Sequence, residues 1–174
     1  ETVQTRGALL DNAQAHPQLY QFIVGHANAV RSVAFSPDGN ILASSGEGGS
    51  IILWNVTTRK PIGQPLTGSD IAFSPDGKIL ATNDCGENDD KDNCIQGEII
   101  LWDVAAQQPI GQPLTQSGRV ASMAFSPDGK TLAFVRRVRG KSVLALYNLD
   151  NNQIRHLWDG LSEDQQETWA LFGV

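Results

Sequence analysis

The sequence predicts an all-β chain made of three copies of one four-stranded unit, on two observations. The hexapeptide AFSPDG occurs three times, at Ala34 to Gly39, Ala72 to Gly77 and Ala124 to Gly129. Each copy is followed by a short apolar run (ILASS, ILATN, TLAFV) and then by a second run ending on an aromatic residue (SIILWNV, EIILWDV, VLALYNL). Short runs rich in Val, Ile, Leu and aromatics, bounded by Gly, Pro, Asn or Asp, read as strands. Self-similarity at a fixed spacing marks an array of supersecondary units.

The elements follow in order. In the leader, 1–17, Leu9, Leu10 and Ala13 recur at helical spacing and the pattern stops at His16-Pro17, where proline disfavours continuation, so a short helix is expected. Residues 18–26, beginning QLYQFIV, read as a strand before the first unit. The units then occupy 27–66, 67–114 and 115–160, and 161–174 looks like the first strand of a fourth unit cut off before its turn. Within each unit, SPDG is a turn. Pro sets φ for its first central position, Asp38, Asp76 or Asp128 tolerates the next, and Gly39, Gly77 or Gly129 accepts the positive φ that closes it. No catalytic role is assigned to these residues. The first two units also share PIGQPLT, from Pro61 and Pro109.

Taken together in register, Gly25-His26, the SPDG turns, Leu53-Trp54-Asn55 and Leu101-Trp102-Asp103 resemble the WD40 repeat family over roughly residues 20–160. The resemblance implies a β-propeller whose four-stranded blades surround a central channel. Three blades do not close such a ring, so a partial, open propeller is expected, completed either by a second copy into six blades or by further blades of a longer chain. Tyr147 stands where Trp54 and Trp102 stand in the other units. The family's buried Asp, six residues before the aromatic, is replaced by Gly48, Gln96 and Lys141, and only the first unit keeps the family's His, as His26. The polar network that braces WD40 blades is therefore expected to be missing. The leader running into Gly-His is also similar to the junction in bacterial proteins where a STAND-class regulatory ATPase precedes a WD40 array. That similarity implies a sensing or partner-holding module in a bacterial signalling protein, placed in the cytoplasm.

One unit departs from the others. From turn glycine to aromatic, Gly39 to Trp54 is a step of 15 residues, Gly129 to Tyr147 one of 18, and Gly77 to Trp102 one of 25. The second unit thus carries an insertion between its second and third strands, CGENDDKDNC, inside 84–98. Its innermost strand is also approached by a shorter path, 7 residues from Leu66 to Phe73 against 11 from Leu114 to Phe125. In a propeller both features lie on one face, and the insertion is expected to fold over the gap left by the shortening.

Charge collects there. Asp84, Glu87, Asp89, Asp90, Asp92 and Glu98 against Lys91 supply −5 of the chain's net −6. The matching loop of the third unit is basic, with Arg136, Arg137, Arg139 and Lys141. Two readings stand side by side: solvated charges worth ~0–1 kcal/mol per pair, or a polarised docking face for a protein partner. For the two cysteines, Cys85 and Cys94, several chemistries compete. Zinc needs about four N or S ligands, more than this stretch supplies. Calcium finds oxygen ligands, but an EF-hand alignment puts Asn93 where Gly is required. A disulfide would tie down the insertion, and free thiols suit a reducing compartment. The stretch is similar to cysteine-flanked insertions in bacterial WD40 arrays, a resemblance that puts the staple level with free thiols.

Other functions find little support. A net charge of −6 argues against binding nucleic acid through its phosphates, and no apolar run nears the ~20 residues that cross a bilayer. The three histidines, His16, His26 and His156, fall before a helix-ending Pro, on a repeat marker and on an outer strand, without a nucleophile partner in the linear sequence. GEGGS, at Gly46 to Ser50, lacks the Lys-Ser/Thr of a phosphate loop. The expectation is a non-enzymatic protein-binding scaffold without a cofactor, not associated with nucleic acid or membrane. A homodimeric ring and a calcium-binding module are the alternatives.

Overall fold

The computed structural model describes residues 25–91, 93–138 and 140–158, with the Trp158 side chain left aside. The expected leader helix, most of the strand at 18–26, the segment 161–174, Asp92 and Arg139 lie outside the described residues.

Thirteen strands form three antiparallel sheets among these residues. The first contains β1 (Val30–Phe35), β2 (Ile41–Gly46), β3 (Ser50–Asn55) and β4 (Leu66–Thr67). The second contains β5 (Ile71–Phe73), β6 (Ile79–Asn88), β7 (Cys94–Asp103), β8 (Gln108–Pro109) and β9 (Leu114–Ser117). The third contains β10 (Arg119–Phe125), β11 (Thr131–Val138), β12 (Lys141–Asn148) and β13 (Gln153–Trp158). Each sheet meanders in sequence order, and successive sheets stack face to face. The fold is the expected all-β, open array of propeller blades.

The repeated hexapeptide has a direct physical reason. Ser36, Ser74 and Ser126 each donate their hydroxyl to the Asp two residues on, at 2.6, 2.7 and 2.6 Å. The same hydroxyls accept the backbone N–H of Ile41, Ile79 and Thr131 at 2.9, 2.9 and 3.0 Å. Gly39, Gly77 and Gly129 close the turns at φ near +72°, +71° and +72°, which only glycine adopts without strain. The residue after the aromatic caps the next turn: Asn55 and Asp103 accept the N–H of Thr58 and Ala106, both at 2.7 Å. Either residue type serves because only a side-chain oxygen is needed.

PIGQPLT splits the outermost strand. In the second sheet β8 pairs the end of β7 (Trp102↔Pro109) and β9 pairs its start (Gly97↔Gln116). In the first, Pro61 bridges Trp54 while β4 pairs Ser50 and Ile51. The third sheet lacks the motif, and its β13 is continuous to Trp158.

Two cores lie between the sheets. Ala43, Ile51, Leu53, Leu66, Ile71, Leu80 and Val104 join the first to the second. Ala81, Ile99, Val120, Met123, Leu132, Phe134, Ala145 and Tyr147 join the second to the third. On the far face of the first sheet Val33 and Phe35 are about 60% exposed, at 61% and 62%.

The expectation of a missing polar brace is corrected in part. Ser44 accepts the Trp54 indole N–H at 2.8 Å, and its hydroxyl lies 2.7 Å from His26 Nε2. Gly25 packs so closely under the Trp54 ring that a Cβ there would sit 2.3 Å from it. In the second sheet Thr82 takes the place of Ser44, accepting from Trp102 at 2.9 Å and donating to the Thr67 carbonyl at 3.0 Å. In the third the equivalent residue is Phe134, and Tyr147 turns its hydroxyl to Asn152 at 2.5 Å. In the first two sheets a hydroxyl on the neighbouring strand supplies the acceptor.

Candidate partner-binding face

The insertion forms a hairpin rather than a loose loop. β6 and β7 are ten residues each, against six for β2 and β3, and they stay paired as far as Asn88↔Cys94, with bulges on either side of Glu87. The run of acids and amides has no strand propensity of its own. It continues a ladder already begun by two strongly apolar strands. Cys85 and Cys94 flank the tip, their sulfurs 2.16 Å apart and their Cα atoms 5.7 Å apart. Inside the tip Asp89 acts as a local cap, accepting the N–H of Lys91 at 2.9 Å and of Asn93 at 2.8 Å. The Asn93 side-chain amide, which donates to both Asp89 oxygens at 3.1 and 3.0 Å, and then these backbone bonds hold the Asp89 carboxyl below the usual carboxylate range.

The hairpin does not close over the gap left by the short approach. It stands along one side of a cleft of about 930 Å³, which Arg119, Arg137 and Val138 of the third sheet bound on the other. The cleft exists because β5 has only three residues and its ladder with β6 ends at Ile71↔Thr82. Asn83 plugs the base, 4% exposed, donating to the Val120 carbonyl at 2.8 Å while its Oδ1 accepts the Asp70 N–H at 2.7 Å. Burial next to this plug pushes the Asp70 carboxyl up.

The far wall is held by a glycine. Gly118, at φ +77°, donates to the Ile95 carbonyl at 2.7 Å and accepts from the Gly97 N–H at 3.0 Å. A Cβ on Gly118 would stand 2.0 Å from the Arg137 carbonyl oxygen, so no other residue fits. Arg136 turns inward from the basic loop and donates to the carbonyl and the hydroxyl of Ser117. Burial lowers its pKa from the ordinary arginine value.

The residues expected to share one face are thus distributed unevenly. Asp84 and Arg137 line the cleft from opposite sides, and Asp84 Oδ1 accepts the Cys85 N–H at 2.8 Å. Glu87 points the other way, toward a smaller groove bounded by Thr115 and Ser117. Asp90 is exposed at the tip, and Lys141 is exposed at the start of β12. Sequence reasoning missed Arg119, Asn83 and Gly118. The missing four residues before Phe73 were the signal for Asn83, since whatever follows a truncated inner strand must satisfy the exposed ladder.

Side chains for metal chemistry do not gather: among the described residues no three His, Cys, Asp or Glu converge. No helix among them is long and apolar enough to cross a membrane.

Stacked four-stranded meanders with these turns define an open segment of a β-propeller. The family model described as WD domain, G-beta repeat matches residues 17–55. No curated protein matches the sequence. Among solved structures, U3-55K superposes with a TM-score of 0.62 at 21% identity, over 79% of this chain and 42% of that one. The WD40 repeats of RRP9 superpose with a TM-score of 0.61 at 20% identity, over 82% of this chain and 41% of that one. The chain therefore spans less than half the length of these two structures. Propellers of this type are in general interaction scaffolds that bind protein partners.

Proposed function

We propose that this chain is a non-catalytic protein-interaction scaffold that docks its partner through the face carrying the β6–β7 hairpin and the β11–β12 turn. The carrying observation is the hairpin itself. It projects an acidic tip past a cleft whose far wall is basic, on a fold whose units otherwise share one four-stranded plan. Charge arranged this way selects and orients a partner more than it adds raw affinity. In the finer reading, the module senses a partner for a larger bacterial signalling protein in the cytoplasm. The similarity of its leader to STAND ATPase junctions supports this.

The test is to replace 86–93 by two glycines. A recognition hairpin predicts a chain that still folds, with its melting temperature within a few degrees of the parent, and that no longer binds its partner. A variant that fails to fold would make the hairpin a structural patch and sink the proposal.

A second reading, a homodimer closing a six-bladed ring, is favoured by the exposure of Val33 and Phe35 on the open face of the first sheet. A calcium-binding role for the hairpin is tested by whether millimolar calcium raises the melting temperature.

A further inference from the structure

We propose that the cleft beside β6 is a strand-addition site for an extended, acidic segment of a protein partner. This rests on the scaffold reading and narrows it to one groove and one mode of binding.

The backbone argument comes first. In the first sheet the innermost strand accompanies β2 along its whole length, from Phe35↔Leu42 to Val30↔Gly46. In the third it accompanies β11 as far as Arg119↔Arg137. In the second the inner ladder ends at Ile71↔Thr82, with one further bond from the Ser69 N–H to the Asn83 carbonyl at 2.7 Å. β6 nevertheless runs on to Asn88, so its inner edge over 84–88 has no strand beside it among the described residues. The carbonyls of Ile79 and Asn83 both accept from that inner side. By the same alternation Cys85 presents its carbonyl to the cleft, while its N–H is held by Asp84 Oδ1 at 2.8 Å and the ladder bulges on either side of Glu87. An unpaired edge of this kind is a template for another chain, and backbone pairing along it supplies affinity that depends little on sequence.

The opposite wall sets the chemistry. Arg119 and Arg137 are direct cross-strand partners, both exposed, and neither is in a salt bridge among the described residues. Like charges directly opposite each other on a sheet are destabilising, and an anion placed between them relieves that repulsion. Among the described residues Asp84 is the one carboxylate lining the cleft, set against the two guanidinium groups of Arg119 and Arg137, and its Oδ1 accepts the Cys85 N–H. The groove is therefore cationic within a chain of net charge −6.

Shape and rigidity agree with this. The volume of about 930 Å³ falls within the roughly 300–1,000 Å³ of ligand-binding pockets. Both walls are held before any ligand arrives, one by the joined Cys85 and Cys94 and the other by the Gly118 contacts. A preformed groove costs little ordering on binding. The segment lies antiparallel to β6, where a longer β5 would have run, with alternate side chains reaching Arg119 and Arg137.

The full 174-residue chain is used to select from a phage-displayed library of random dodecapeptides. Enriched peptides are then synthesised and studied by calorimetry and hydrogen exchange. The expected peptides carry Asp or Glu at alternate positions, slow amide exchange within 84–88, and lose binding when alternate backbone nitrogens are methylated. Arg119→Glu with Arg137→Glu weakens binding by about tenfold or more, whereas Arg59→Glu, far from the cleft, leaves it unchanged. Three outcomes overturn the proposal: no enrichment, binding indifferent to the two arginines, or binding indifferent to N-methylation. Peptides that bind but protect only the tip, 89–93, also overturn strand addition while leaving the scaffold reading intact. The scaffold reading is judged separately by the 86–93 replacement.

Discussion

Ser44, Thr82 and Phe134 occupy equivalent places on the second strand of each sheet, and the aromatic diagonally across on the third strand follows their chemistry. Where a hydroxyl is present the aromatic is Trp, whose N–H donates to it. Where Phe134 stands, it is Tyr147, whose hydroxyl finds Asn152 instead. Ser44→Ala should cost ~1–3 kcal/mol, because the buried Trp54 N–H loses its acceptor, and Phe134→Ala ~3–5 kcal/mol through lost packing. Chemical denaturation of the two variants checks the order. This brace is not legible in the sequence, because the position six residues before the aromatic, Gly48, Gln96 or Lys141, carries no carboxylate to mark it. The acceptor is a small hydroxyl residue on another strand, identifiable only once the register is known.

Acid titration separates two kinds of aspartate at the same scale. Hydrogen bonds from Ser36, Ser74 and Ser126 lower the carboxyl pKa of Asp38, Asp76 and Asp128. A lowered carboxyl stabilises the fold above the unfolded value of 3.8, and that contribution is lost as the pH falls through the folded value below it. Asp76→Asn should therefore flatten the loss of stability on that acid limb. Asp70 is raised by burial, so its ionised form disfavours the fold, and the penalty is relieved as the pH falls through its raised value. Asp70→Asn should raise the melting temperature at pH 7 and bring no gain well below pH 3.8. Thermal melts across that range show whether the two variants move in opposite directions.

Among the elements, the strands were legible wherever apolar runs met turn residues, and the hexapeptide placed every hairpin turn between first and second strands. The hairpin over 84–98 was legible as an insertion but not as strand, because CGENDDKDNC has neither alternation nor β-branched residues. Its pairing is inherited from the ladder beneath it. The cleft was missed for a related reason. It is defined by residues absent from β5, and by Arg119, whose significance comes from a partner 18 positions away, Arg137. Closing a loop of this size contributes about 2–3 kcal/mol on the chain-entropy model. Cys85→Ser with Cys94→Ser should accordingly speed amide exchange over 84–94 while leaving Leu80 to Thr82 protected. Equal rates in parent and variant would show that the pairing alone holds the hairpin.

At the scale of the molecule, each sheet is stabilised by its neighbours in the stack. The second has a core on both faces, whereas the first leaves Val33 and Phe35 uncovered. Light scattering over a wide concentration range should show mass rising with concentration. Val33→Asp with Phe35→Asp should suppress that rise without altering the circular dichroism. A dimer stable at all concentrations and insensitive to both changes would place the contact elsewhere.

The long ladder of β6 and β7 also has a mechanical meaning. A partner gripping the hairpin tip pulls along the strand axes, so the hydrogen bonds to the flanking strands share the load in shear and do not open one after another. The pull passes into the sheet with a core on each side, the best anchored of the three. The hairpin is thus a handle through which tension on a bound partner can reach the fold without peeling it apart.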